Sequence, residues 1–204
     1  MKRITNIINT ILIGVFVMQL SSNDNSYNAE IRKWQEEQNA EFKNPKTSPL
    51  TTEELAKFTA LEFYDIDRNY EVEATLELNK NQKEFGMKTT TDRLPIYVKY
   101  GVASFKLNGK DLRINIYKNV ELAKREKYKD YLFMLFTDNT SGTTSYAGGR
   151  YIDLRIPEKG SKLLIDFNKA YNPYCAYNHK YSCPIPPEED HLDIKILAGV
   201  KAFH

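Results

Sequence analysis

Ile96-Tyr97-Val98-Lys99-Tyr100-Gly101-Val102-Ala103-Ser104-Phe105-Lys106-Leu107-Asn108-Gly109-Lys110-Asp111-Leu112-Arg113-Ile114-Asn115-Ile116-Tyr117 reads as two strands joined by a two-residue turn. Asn-Gly supplies the two positive-φ positions of a type I′ turn, whose twist matches the strands on either side. A two-residue loop also fixes the register. Leu107 then faces Lys110, Phe105 faces Leu112, Ala103 faces Ile114 and Gly101 faces Ile116, which gathers the apolar residues on one side. The other side carries Lys106 against Asp111 and Ser104 against Arg113, pairs of opposite charge or mutual polarity.

Upstream of the hairpin, Tyr70, Val72, Ala74, Leu76 and Leu78 alternate with Glu71, Glu73, Thr75 and Glu77, the pattern of a half-buried strand with an acidic outer face. Asn79 to Arg93 is polar around Phe85-Gly86-Met87 and reads as a loop or hairpin tip able to move. Downstream, Glu121 to Asp130 is a charged run that reads as a solvated connector, or else as a helical turn. Tyr131 to Phe136 is apolar throughout, as in a central strand. Tyr151 to Ile156, Lys162 to Phe167 and Leu192 to Leu197 add three more strands, with Pro157 to Ser161 turning the first pair. Seven strands and few helices predict a mainly β fold, an antiparallel β-sandwich or open barrel with one or two short N-terminal helices.

Those helices fall within residues 23–61, ahead of a sheet core over 62–204. Asn28 can cap a helix running to Lys43 that places Ile31, Trp34 and Phe42 near one face. Trp34, the sole tryptophan, reads as an anchor on the domain, with ligand stacking the less common use. After the linker Asn44 to Pro49, Thr51 and Glu54 form a capping box, and Leu50 with Leu55 forms the hydrophobic staple of a second helix ending near Phe58 or Leu61.

A chain of 204 residues with 41% hydrophobic and 12% aromatic content is that of a folded globular protein, here a single domain over residues 23–204. Residues 1–22 read as an export signal: Lys2 and Arg3 open a run, Ile7 to Leu20, that is too short to span a bilayer and ends at Ser21-Ser22. The protein is therefore expected in the periplasm or outside the cell. Asn23 stands where a lipoprotein would carry its lipidated cysteine, so no lipid anchor is expected, and membrane contact would come only through an uncleaved signal. Without Lys2 and Arg3 the 29 basic residues fall to 27, equal to the 27 acidic ones. A neutral chain has no field to draw in phosphate backbones, and nucleic acid is not an expected partner. In an exported protein the two cysteines, Cys175 and Cys183, are expected to form a disulfide, ahead of a free thiol pair or a metal site with His179.

The residues able to carry chemistry crowd between Phe136 and His191. Asp138-Asn139-Thr140-Ser141-Gly142 fits an Asx-type turn rather than a nucleophilic aspartate loop. Gly148-Gly149-Arg150 lacks the glycines and the helix of a phosphate loop; it reads as a bulge aiming Arg150 at Asp138, Asp153 or Asp166, or else at an anionic ligand. No nucleophile elbow and no zinc-spaced histidine pair is present. Glu188-Glu189-Asp190-His191 is able to hold a metal but fits a solvated turn better. Tyr171, Tyr174, Tyr177 and Tyr181 offer either a stacking platform or packing for the prolines around them.

Several segments resemble the bacterial and archaeal family called domain of unknown function 1684. They are the Trp34 helix, Ser48-Pro49-Leu50-Thr51-Thr52-Glu53-Glu54, the Phe136 to Leu154 segment, and above all Asp166-Phe167-Asn168-Lys169-Ala170-Tyr171-Asn172-Pro173-Tyr174-Cys175 with Cys183-Pro184-Ile185-Pro186-Pro187. The resemblance implies no activity. This chain departs from the family pattern at Glu189-Asp190-His191, where Glu-Asn-Arg is usual, and at Val200, which replaces a glutamate.

The leading expectation is a binding module for a small molecule or an envelope protein. Its site would be rimmed by Asp138, Arg150, Asp166, Asn168, Tyr171 and Asn172, with no metal and no cofactor. Two alternatives stand beside it. One is a hydrolase with Asp138 and Asp166 as acid and base and Arg150 tuning one of them. The other is a structural protein in which the polar cluster only stabilises the fold.

Overall fold

The computed structural model describes the backbone of residues 5–203 and the side chains of residues 24–203. Helices α1 (Thr5–Lys43) and α2 (Thr52–Lys57) precede strands β1 (Glu71–Leu78), β2 (Glu84–Gly86), β3 (Ile96–Leu107), β4 (Lys110–Asn119), β5 (Tyr131–Asp138), β6 (Arg150–Arg155), β7 (Lys162–Asp166) and β8 (His191–Leu192). The strands form one curved sheet in the order β6-β5-β4-β3-β1-β7, a half-barrel, with β2 added beside β3 and β8 beside β5. Every pairing along that path is antiparallel; only β8 runs parallel to its partner. Of the two architectures expected, the open barrel describes this sheet.

The hairpin sets the frame. Asn108 and Gly109 take φ of 49° and 80°, and β3 pairs with β4 in the expected register from Leu107 with Lys110 to Gly101 with Ile116. A bulge follows between Lys99 and Gly101. Residue 101 must be glycine, because a Cβ there would stand 2.5 Å from the backbone oxygen of Glu77 on β1.

Two stretches fold differently from expectation. Within Asn79 to Arg93, Glu84–Gly86 pairs with Val98 to Ile96, and Met87 is buried, so an apolar anchor makes a strand of what reads as loop. At Leu192 to Leu197 only His191–Leu192 pairs, because the Ile196 and Ala198 carbonyls accept from the Arg150 side chain instead of from a neighbouring strand.

The helices also differ in part. Asn28 lies inside α1 rather than capping it, since Asn23 to Tyr27 includes neither proline nor glycine to stop a helix. The capping box of α2 forms as expected, with Thr51 and Glu54 bonding each other's backbone. The export signal expected over residues 1–22 lies outside the side chains described. Among the described residues no helix is long and apolar enough to cross a membrane.

The sheet buries both faces. Inside the curve, Val72, Ala74, Leu76, Phe105, Ile114, Ile116, Met134, Phe136 and Ile165 pack with Phe167 and Ile196 in the main core. On the opposite face Met87, Tyr97, Tyr117, Phe133, Leu135 and Tyr151 form a second, aromatic cluster. Strand β5 contributes to both, which is why it is apolar throughout. A third cluster joins Phe42 of α1 to Leu50, Leu61 and Tyr177.

Candidate functional site

The six residues expected to rim one site go to four places, each with its own hydrogen bonds. Arg150 opens β6 and is fully buried, one of its terminal nitrogens 2.7 Å from Asp138 Oδ2. That pairing was anticipated, but it is not bidentate. The same nitrogen donates to the Ile196 carbonyl at 2.9 Å, and the other terminal nitrogen donates to Ala198. Asp138 Oδ1 accepts from the Thr140 amide at 2.6 Å, the expected Asx turn closing β5. The guanidinium also lies over the Phe136 ring at 5.3 Å. Gly149 permits this approach: its φ is +86°, and a Cβ would fall 2.5 Å from the Phe136 oxygen.

Asp166 and Asn168 form a second network that holds α1 against the sheet. Asp166 Oδ1 accepts from Tyr27 at 3.0 Å and from the Asn168 amide, while Asn168 also bonds the Asp67 backbone in both directions. Asn172 donates to the Lys201 carbonyl at 2.8 Å. A shared rim therefore does not form. Buried polar groups need partners inside the protein, and each of these residues has some nearby, although Arg150 Nε, Asp166 Oδ2 and Asn172 Oδ1 are left without one among the described residues.

Tyr171 goes elsewhere. Its hydroxyl donates to Asp153 Oδ1 at 2.6 Å, and Tyr131 donates to the same oxygen at 2.7 Å. Burial first, then the Asp153 charge, raises both phenols far above their ordinary range, so they stay protonated donors. These residues line a cavity of about 550 Å³ between the outer sheet face, α1 and the segment from Lys169 to Pro184. The sheet contributes Tyr97, Tyr131, Phe133, Tyr151 and Asp153; α1 contributes Trp34, Gln38 and Glu41; the segment contributes Tyr171, Pro173, Tyr174, Tyr181 and Cys183. Trp34 packs edge-on against Phe63, as an anchor does, and also lines the cavity. Three of the four tyrosines of the segment line the cavity, and Tyr177 instead packs on Phe42 at 4.7 Å.

Tyr97, Tyr131, Tyr151 and Asp153 were not singled out as site residues. Their signal was alternation: Tyr131 with Phe133, and Tyr151 with Asp153, are spaced to face away from the main core.

Cys175 and Cys183 stand as buried thiols side by side, the Cys175 amide donating to Cys183 Sγ at 3.2 Å. A hydrogen bond from the Cys183 thiol pulls Cys175 down to about 6, burial opposing it. The acidic run ahead of β8 is not a solvated turn throughout. Asp190 is completely buried and accepts from Tyr117 and Asn115. His191 bonds Thr137 and Asn139. Among the described residues no group of three or more His, Cys, Asp or Glu is placed to hold a metal.

Fold and cavity together define a half-barrel protein with an aromatic chamber on its outer sheet face. A family model described as "Protein of unknown function (DUF1684)" matches residues 56–201, and the chain belongs to that family. A solution structure of an uncharacterised protein from Haloarcula marismortui is 30% identical, with a TM-score of 0.67 over 88% of this chain and 96% of that one. No curated protein matches the chain.

Proposed function

We propose that the protein is an exported binding module whose ligand is a small molecule held in the aromatic cavity. The cavity itself carries the reading. Its volume of about 550 Å³ lies within the roughly 300 to 1,000 Å³ of ligand pockets, and mostly apolar walls with a few fixed polar groups are their usual lining. Asp153 supplies such a group, held by two phenols and exposed to solvent. Export, to the periplasm or beyond, rests on the pattern of residues 1–22, and in that setting Cys175 and Cys183 would close a nine-residue loop as a disulfide.

The placement of Asp138 and Asp166 in separate networks, the first buried with Arg150, gives no support to an acid and base pair. Native mass spectrometry of the protein purified from its own cell envelope tests the proposal. A retained small molecule, lost when Tyr171 and Tyr151 are both replaced by alanine, is the expected result; a chain carrying no adduct at all would favour the purely structural reading.

A further inference from the structure

The cavity has more to say about its ligand than that it is small. Its six tyrosines keep few hydroxyls free. Tyr131 and Tyr171 donate to Asp153, Tyr151 donates to the Pro184 carbonyl, and Tyr174 donates to Glu41. A polyhydroxylated ligand such as a sugar would find four of the six phenols already committed to the protein. What the wall still offers is ring faces and negative charge.

The rings do not make one flat platform. Phe133 and Tyr151 stand at 73° to each other, Tyr151 and Tyr171 at 88°, and Tyr174 and Tyr181 at 63°. Phe133 lies closer to parallel with Tyr131 and Tyr97, at 23° and 34°, and the edge-on pairs pack on each other at 4.8 to 5.8 Å, so a ligand meets the faces left on the cavity side and does not enter between paired rings. The charge balance has a definite sign as well. Asp153 and Glu41 are the lining carboxylates, and Asp153 Oδ2 has no hydrogen-bond partner among the described residues. Among the described residues the lining cation is Lys169, which is committed to Glu30 at 2.7 Å and to Asp166 at 3.7 Å, outside the lining set. Two basic side chains beside the lining already lie over its rings, Arg155, itself paired with Asp130, over Tyr131 at 5.7 Å and Lys180 over Tyr181 at 5.1 Å, which shows that these rings attract cations; the lining carboxylate oxygen left without a partner is Asp153 Oδ2.

Resting on the binding reading above, we infer that the ligand is an organic cation, a methylated or quaternary ammonium group seated among the rings with Asp153 as its counter-charge. Aromatic faces attract such a group through the ring quadrupole, and a nearby carboxylate adds direct attraction without requiring a donor from the ligand. Quaternary ammonium groups have no N–H to satisfy, which suits a wall whose polar atoms are largely spent.

Trp34, the sole tryptophan, lines the cavity and makes a built-in reporter. Three probes are titrated while its fluorescence is followed: choline, the uncharged carbon isostere in which tert-butyl replaces trimethylammonium, and maltose. Choline is expected to saturate at least about tenfold more tightly than the isostere, the size of effect that desolvated cation–π contacts provide. Asp153→Asn keeps an acceptor for both phenols and should weaken choline about tenfold while leaving the isostere unchanged. If that variant fails to fold by thermal melt, Glu41→Gln is read in its place, with the same direction expected. Equal affinity for choline and the isostere overturns the inference, as does the absence of saturation by choline. Tighter binding of maltose or of the isostere also overturns it but leaves the binding reading standing, which the mass-spectrometric test decides separately.

Discussion

A guanidinium with no exposure to solvent must find acceptors inside the protein, and the stretch Gly148-Gly149-Arg150 delivers it to Asp138, Ile196 and Ala198. Arg150→Met would leave Asp138 buried with its countercharge gone, and uncompensated charges of that kind cost about 3 to 5 kcal/mol. Urea denaturation of the variant should show a loss of that order; a loss under about 1 kcal/mol would mean that water reaches Asp138 and that the pair is not structural. Asp190 gives a second prediction, this time in pH. Burial raises its carboxyl above 3.8, against the pull of the Tyr117 and Asn115 hydrogen bonds. The folded state then keeps a proton that the unfolded chain has released, so stability falls as pH climbs from 3.8 through the raised folded value. Asp190→Asn retains a side chain that can bond Asn115 and Tyr117 but cannot ionise. Its stability relative to the wild type should rise across that window, and a difference independent of pH would show that Asp190 titrates alike in both states. Legibility at this scale followed locality. The Asx turn at Asp138 was readable because its partner is two residues away, whereas nothing in the sequence near Asp153 says that Tyr131 and Tyr171 will meet there.

Among the elements, the β3–β4 hairpin was readable down to its register because Asn108-Gly109 states its own geometry. Strand β2 and the irregular path after β8 were not. The first exists because Phe85 and Met87 reach the aromatic cluster, and the second because a side chain from β6 takes its carbonyls. Helix α1 shows the same limit: Asn28 is a good cap by type, but a cap acts only where a helix begins. The segment from Cys175 to Cys183 lies between these cases. Its two thiols are close enough for an amide of one residue to bond the sulfur of the other at 3.2 Å, so joining them asks for little movement. Closing nine residues should then add about 2.5 kcal/mol by restricting the unfolded chain. Protein purified without reductant should weigh two hydrogens less than the reduced chain, and its urea midpoint should drop when reductant is added. Equal midpoints for the two forms would mean that the loop is not braced by the bond.

At the scale of the whole molecule, the β class and the absence of a strong net charge could be read from pattern and composition, whereas the choice of an open barrel over a sandwich could not. The cavity could not, because its walls come from α1, β3, β5, β6 and the segment after β7, and each aromatic residue by itself looks like an ordinary core residue. Helix α1 is therefore as much a part of the site as the sheet is. Its described contacts with the rest of the fold begin at Asp24, which pairs with Arg68 at 3.2 Å, and continue through Tyr27, Ile31, Trp34 and Phe42. A chain starting at Asn23, as export would leave it, keeps every one of them. It should melt with an unchanged transition and an unchanged Trp34 emission. A chain starting at Asn44 loses Ile31 and Phe42 from the core, where side chains of that size each stabilise by about 1.5 to 3 kcal/mol. It also strips the Tyr27 hydroxyl from Asp166 and Asn168. Its stability should fall by about 3 kcal/mol or more in urea. Were the shorter chain as stable as the longer, α1 would be a detachable cover rather than a wall, and the chamber would have to be redrawn as an open aromatic face.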